Sequence, residues 1–159
     1  MGRWNIRWSI LLVLWCVTGV KLAAMKVESL DRGWFFNRGY ESQAADKVTV
    51  DLPHTWNAAD AMFGNVNYYR GMSTYSRFIV VPSSENFKRV FLRLKAAQTV
   101  ADVYLDNHFV AQHKGGYTSF TVELTHLIRR GEKQKLDIRV SNAQTMEIAP
   151  ICGDLIYGC

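Results

Sequence analysis

The chain has 159 residues, of which 48% are hydrophobic, 13% aromatic and 21% charged. That is ordinary globular composition, which excludes a disordered, collagen-like or coiled-coil protein and supports one domain. Nineteen Lys plus Arg against fourteen Asp plus Glu give a net charge of +5, enough to raise nucleic acid or an anionic membrane as a partner until the location of the charges is considered.

Residues 1–24 read as a secretory signal peptide. Arg3 and Arg7 precede the apolar run from Ile10 to Val17, and Leu22-Ala23-Ala24 offers small residues for cleavage before Met25. The run is shorter than the roughly 20 residues that a membrane span needs, so no stable membrane insertion is expected. Bulky Leu14 and Trp15 directly before Cys16 argue against lipid attachment there. Cleavage removes Arg3, Arg7 and Lys21, so the net charge falls from +5 by 3 to +2. The electrostatic case for nucleic acid goes with it. A secreted or periplasmic location is the expectation, with Cys152 and Cys159 left in an oxidising compartment. The sequence has no Cys-x-x-Cys spacing, and His108 and His113 stand five apart across a hairpin, so neither a metal site nor a cofactor is expected.

From Lys47 onward the apolar period is two, and Gly, Asn, Asp or Pro punctuate the segments. The pattern predicts strands near 48–52, 74–81, 89–95, 99–105, 109–113, 119–124 and 135–141. Within the second, Tyr75, Arg77 and Ile79 alternate with Ser76, Phe78 and Val80, and Pro82 ends the run. Asp106-Asn107 joins Val103-Tyr104-Leu105 to Phe109-Val110-Ala111, and both residues tolerate the positive φ of a tight hairpin. Short helical turns are predicted around Ala58–Met62 and around Thr125–Arg130, the latter stopped by Gly131. Many turns and almost no helix indicate an all-β fold, a β-sandwich or jelly roll, filling residues 25–159.

Several residues invite a functional reading. Pro53 keeps Leu52 extended, so Trp56 can fold back as an apolar lid whose indole nitrogen needs an acceptor. Arg70 follows two tyrosines and precedes Gly71, an arrangement that can hold a sugar or pin a loop. Gly115-Gly116 lets the chain turn beside Tyr117, and His54 and His113 read as hydrogen-bonded structural histidines. Asp154 stands in an irregular terminal stretch where no strand geometry directs its side chain.

Five strings in order then carry a resemblance: LPHTWN at 52–57, YYRG at 68–71, RVFLRL at 89–94, VYLDNHFVAQHKGGYTSF at 103–120 and GDLIYG at 153–158. Together they resemble the amino-terminal domain of glycoside hydrolase family 2, the group of β-galactosidases, β-glucuronidases and β-mannosidases. Trp34 and Gly39 fit that domain's opening strand. The resemblance implies a galactose-binding-domain-like jelly roll and a carbohydrate partner, a β-galactoside or related glycoside. It also implies that Asp154 lies in a loop reaching a neighbouring barrel's active site, where the family's aspartate helps to bind the terminal sugar. Asp154, Arg70 and Trp56 are therefore the candidate substrate-binding residues. The string after Asp154 departs from the family's Gly-Gly-Ile-Tyr-Arg-Asp run, which puts that loop's reach in question.

Hydrolysis by this family uses two glutamates from a (β/α)₈ barrel, and such a barrel takes about 250 residues. Residues 25–159 number 135, already filled by the sandwich, so no catalytic residue is assigned and this polypeptide alone is expected to be inactive. The expected function is that of the leading fragment of a secreted β-galactosidase-like hydrolase, with the rest of that hydrolase as its partner. The alternative is a stand-alone carbohydrate-binding module that uses Tyr68, Tyr69 or Tyr117.

Overall fold

The computed structural model describes residues 25–39, 48–58, 69–84 and 88–143. The expected leader, Cys152, Cys159, Asp154, Tyr68 and the predicted turn beyond Ala58 lie outside them. Residues 1–30 and 31–159 form separate units; of the first, residues 25–30 have no regular secondary structure.

Among the described residues eight strands follow one another, β1 (Trp34–Arg38), β2 (Val48–Val50), β3 (Met72–Val80), β4 (Phe91–Leu94), β5 (Val100–Leu105), β6 (His108–Lys114), β7 (Phe120–Glu123) and β8 (Lys133–Ser141). Six form a sheet in the order β2-β1-β3-β8-β5-β6, and β4 pairs with β7 in a second. All neighbours are antiparallel. The all-β expectation holds, and two antiparallel sheets are what a β-sandwich requires.

Period-two patterning explains the burial. On β8, Gln134, Leu136, Ile138 and Val140 are buried while Lys133, Lys135 and Arg139 alternate with them. Trp34, Phe36, Tyr75, Val103 and Leu105 join these from the larger sheet, and Leu92 and Val122 come from the smaller one. Each such side chain stabilises the fold by about 1.5–3 kcal/mol. Central β8 pairs along all nine of its residues with β3 and also with β5, so it ties distant parts of the chain together.

The hairpin turn is as its residues predict: Asp106 has φ +47° and Asn107 φ +66°. Asp106 does more than turn. Its carboxylate accepts hydrogen bonds from Lys135 N (2.8 Å), Gln134 Nε2 (2.9 Å) and Arg129 Nη2 (2.7 Å), fastening the hairpin tip to the start of β8. These bonds, that from Gln134 foremost, hold its carboxyl below the usual range.

Boundaries differ from the sequence expectation. β3 starts at Met72 and β8 at Lys133, two residues early in each case, because each lends the other partners there. Where helical turns were expected at Thr125–Arg130, there is a single turn in which Leu124 O accepts from Leu127 N (2.9 Å) and Ile128 N (3.0 Å). The turn does not propagate, because Arg129 N, which would donate to Thr125 O in a helix, donates to Gln134 Oε1 instead (2.7 Å). Gly131 then turns away with φ +78°, a conformation that glycine adopts without Cβ strain.

Candidate functional site

Strand polarity brings the Tyr69-Arg70-Gly71 turn and the Gly115-Gly116-Tyr117 segment to one end of the larger sheet. β1 ends there at Arg38, β3 begins at Met72, β5 begins at Val100, β6 ends at Lys114 and β8 ends at Ser141. Backbone bonds stitch the connecting loops together: Gly39 N to Met72 O (2.8 Å), Thr99 N to Ser141 O (2.7 Å) and Gly115 N to Thr99 O (2.8 Å). Asn142 joins the Tyr69-Arg70-Gly71 turn to β8. Its Oδ1 accepts from Gly71 N (2.8 Å), and its Nδ2 donates to Tyr69 O (2.9 Å). Gly71 has to be small, because a Cβ would stand 2.9 Å from the Tyr69 hydroxyl.

The Leu-Pro-His-Thr-Trp-Asn string folds back along β1 and β3, as Pro53 leads one to expect. Trp56 is 4% exposed and stacks on Phe36 with ring centroids 6.2 Å apart. Its indole Nε1 is buried with no hydrogen-bond partner. The structure thus makes Trp56 a core residue. Arg38 Nη2 donates to the Trp56 carbonyl, and the Arg38 guanidinium stands 5.7 Å over the Tyr69 ring. So the cation over Tyr69 belongs to Arg38; Arg70, at the same end, is exposed.

His54 Nδ1 lies 2.9 Å from the Tyr75 hydroxyl, and its ring meets Phe36 edge-on with centroids 4.7 Å apart. Burial first, and the charge of Arg38 second, push the His54 pKa down, so the imidazole is neutral at neutral pH. His113 Nε2 lies 3.0 Å from Thr118 Oγ1 and the ring stacks on Phe120 at 4.3 Å. Both histidines are hydrogen-bonded structural residues.

Tyr117 is 71% exposed, with its hydroxyl accepting from Gln98 Nε2 at 3.4 Å. Gly116 permits this, since a Cβ would come within 2.6 Å of Gln98 Cγ. The end of the sheet therefore presents exposed Tyr117, held by buried Gln98, and Arg70. These residue types hold sugar hydroxyls and stack on sugar rings; they do not cleave glycosidic bonds, which takes a pair of carboxyl groups. Among the described residues no group of three or more His, Cys, Asp or Glu is placed to hold a metal ion. Sequence reasoning passed over Arg38, Gln98 and Asn142. Asn142 carried one usable signal, as a polar turn-former directly after a strand.

The family profile described as glycosyl hydrolase 2 galactose-binding domain-like matches residues 43–150. The chain belongs to glycoside hydrolase family 2. A β-glucuronidase of Bacteroides fragilis is 37% identical over 130 residues, covering 81% of this chain and 19% of that enzyme. A β-galactosidase of Thermoanaerobacter pseudethanolicus is 31% identical over 102 residues, covering 64% of this chain and 14% of the enzyme. The crystal structure of a Bacteroides uniformis β-glucuronidase superposes with a TM-score of 0.73 at 31% identity, over 82% of this chain and 16% of that one. This family 2 domain thus spans about a fifth or less of the length of these relatives.

Proposed function

We propose that this chain is the amino-terminal, non-catalytic module of a secreted family 2 β-glycosidase acting on β-glucuronides or β-galactosides, with a jelly-roll fold. The observation that carries the reading is the extent of the match: 81% of this chain aligns with only 19% of a β-glucuronidase. The catalytic glutamates belong to the barrel of the longer protein, and this module supports that barrel's active site. Asp154 is the residue proposed to reach the sugar; exposed Arg70 is proposed to assist it, and buried Trp56 to support the site from the core. Secretion rests on the charged, then apolar, then small-residue order of residues 1–24.

Sequencing the locus beyond codon 159 tests the reading. The expected result is a continuation, direct or restored by one frameshift, into the family's immunoglobulin-like domain and barrel. A stop followed by unrelated sequence would overturn it. In the full-length enzyme Asp154→Asn should raise KM, and unchanged kinetics would remove that residue's role. The exposure of Tyr117 favours one second reading, a module that binds carbohydrate by itself. Calorimetry of the chain with galactose and glucuronate would reject that reading if millimolar sugar gave no heat.

A further inference from the structure

All six strands of the larger sheet contribute to its outward face. Thr49, Phe35, Ser76, Asp137, Tyr104 and Phe109 stand side by side across it in one row. Phe35 is 43% exposed and Phe109 56% exposed, and Phe78 and Val80 lie open beside them on β3. Among the described residues, the charged ones on this face are four cations, Lys114, Lys133, Lys135 and Arg139, and two acids, Asp102 and Asp137.

Both acids are already engaged. Asp137 is 1% exposed and lies 2.9 Å from Lys135 Nζ, and Asp102 Oδ1 accepts from Gln112 Nε2 at 2.8 Å. Lys133 and Arg139 have no carboxylate partner among the described residues and lie on aromatic rings instead. Lys133 Nζ is 4.3 Å from the Phe78 ring, and the Arg139 guanidinium is 4.1 Å from the Tyr104 ring. Phe109 meets Tyr104 edge-on at 5.6 Å. The face thus repeats one unit, a cation on an aromatic ring: Lys133 on exposed Phe78, and Arg139 on Tyr104, which exposed Phe109 meets edge-on. The two copies are six residues apart on β8, about 20 Å along an extended strand.

Such a unit recognises two chemical features at once. The ring buries the apolar C–H face of a sugar, and the cation holds a carboxylate by a charge-assisted hydrogen bond. We infer that the outward face of the six-stranded sheet binds an extended polysaccharide bearing uronic acid carboxylates. The choice of a sugar polymer over an acidic peptide rests on the proposed carbohydrate function; the charge and aromatic geometry stands independently of it.

The test is calorimetry of the purified chain with hyaluronan oligosaccharides, with dextran as the neutral polymer and polyglutamate as the acidic peptide. Hyaluronan should bind more tightly than either, and the binding should weaken as salt rises. Lys133→Gln, Arg139→Gln and Phe109→Ser should each weaken it at least fivefold, while Arg93→Gln, the same loss of charge on the smaller sheet, should leave it unchanged. Lys133 is exposed, so its variant tests the surface even if Arg139→Gln does not fold. Absence of hyaluronan binding overturns the inference, and so does equal binding of polyglutamate with no effect of Phe109→Ser. An effect of Arg93→Gln equal to that of Lys133→Gln also overturns it. None of these outcomes bears on the catalytic reading, which the locus decides.

Discussion

Asn142 and Gly71 hold each other by two bonds: the Asn142 side chain accepts from Gly71 N at 2.8 Å, and Asn142 N donates to Gly71 O at 3.1 Å. Asn142 is 1% exposed, so losing its amide strands Gly71 N and Tyr69 O without water to replace it. Asn142→Ala should destabilise the domain by about 2–4 kcal/mol, from two lost hydrogen bonds and the groups left unsatisfied. Urea unfolding measures this, and a change below about 0.5 kcal/mol would show that the clasp contributes nothing.

The burial of His54 beside the charge of Arg38 makes stability depend on pH. The folded chain lowers the His54 pKa from 6.5, so between the two values the unfolded chain binds more protons than the folded one. Stability is then fully present above the unfolded value and falls as pH drops through 6.5 toward the folded value. The urea midpoint should decrease between about pH 7.5 and about pH 5.5, a window above the titration of ordinary carboxylates. In His54→Gln the decrease should be smaller. An unchanged pH profile in that variant would assign the effect elsewhere.

Gly116 leaves no room for a side chain. A Cβ there would meet Gln98 Cγ at 2.6 Å, and Gln98 is buried and bonded to Tyr117. Gly116→Ala should cost about 1–3 kcal/mol, as overpacking does. A lowered melting temperature is expected, and an unchanged one would mean that Gln98 swings away freely.

Trp56 separates core from contact. Trp56→Ala should cost about 3–5 kcal/mol. Trp56→Phe should cost less than that truncation, because it keeps an aromatic ring against Phe36 and removes a buried N–H that has no partner. If Trp56 served only to touch sugar, neither variant would move the unfolding midpoint.

Local features were legible in the sequence and long-range ones were not. Asp106-Asn107 announced its turn because positive φ is a property of the residue types themselves. β3 and β8 announced themselves by alternation, yet their first two residues are strand only through pairing with each other's ends. The turn after Leu124 stops where Arg129 N is taken by the Gln134 side chain of β8, a contact that helix propensity does not contain. The pairing of β4 with β7 is likewise invisible in either segment alone. At the candidate site, Arg70 and Tyr117 were found from composition around a glycine, whereas Arg38 and Asn142 act on Trp56 and Gly71 across 18 and 71 residues. No local pattern encodes such reach.

The most direct test of the account is hydrolysis of chromogenic β-glucuronide and β-galactoside by the purified 159-residue chain. The account predicts release no faster than in buffer, because it assigns the pair of carboxyl groups that the reaction uses to another domain. Turnover that tracks the purified chain and is lost when the chain is unfolded would contradict it.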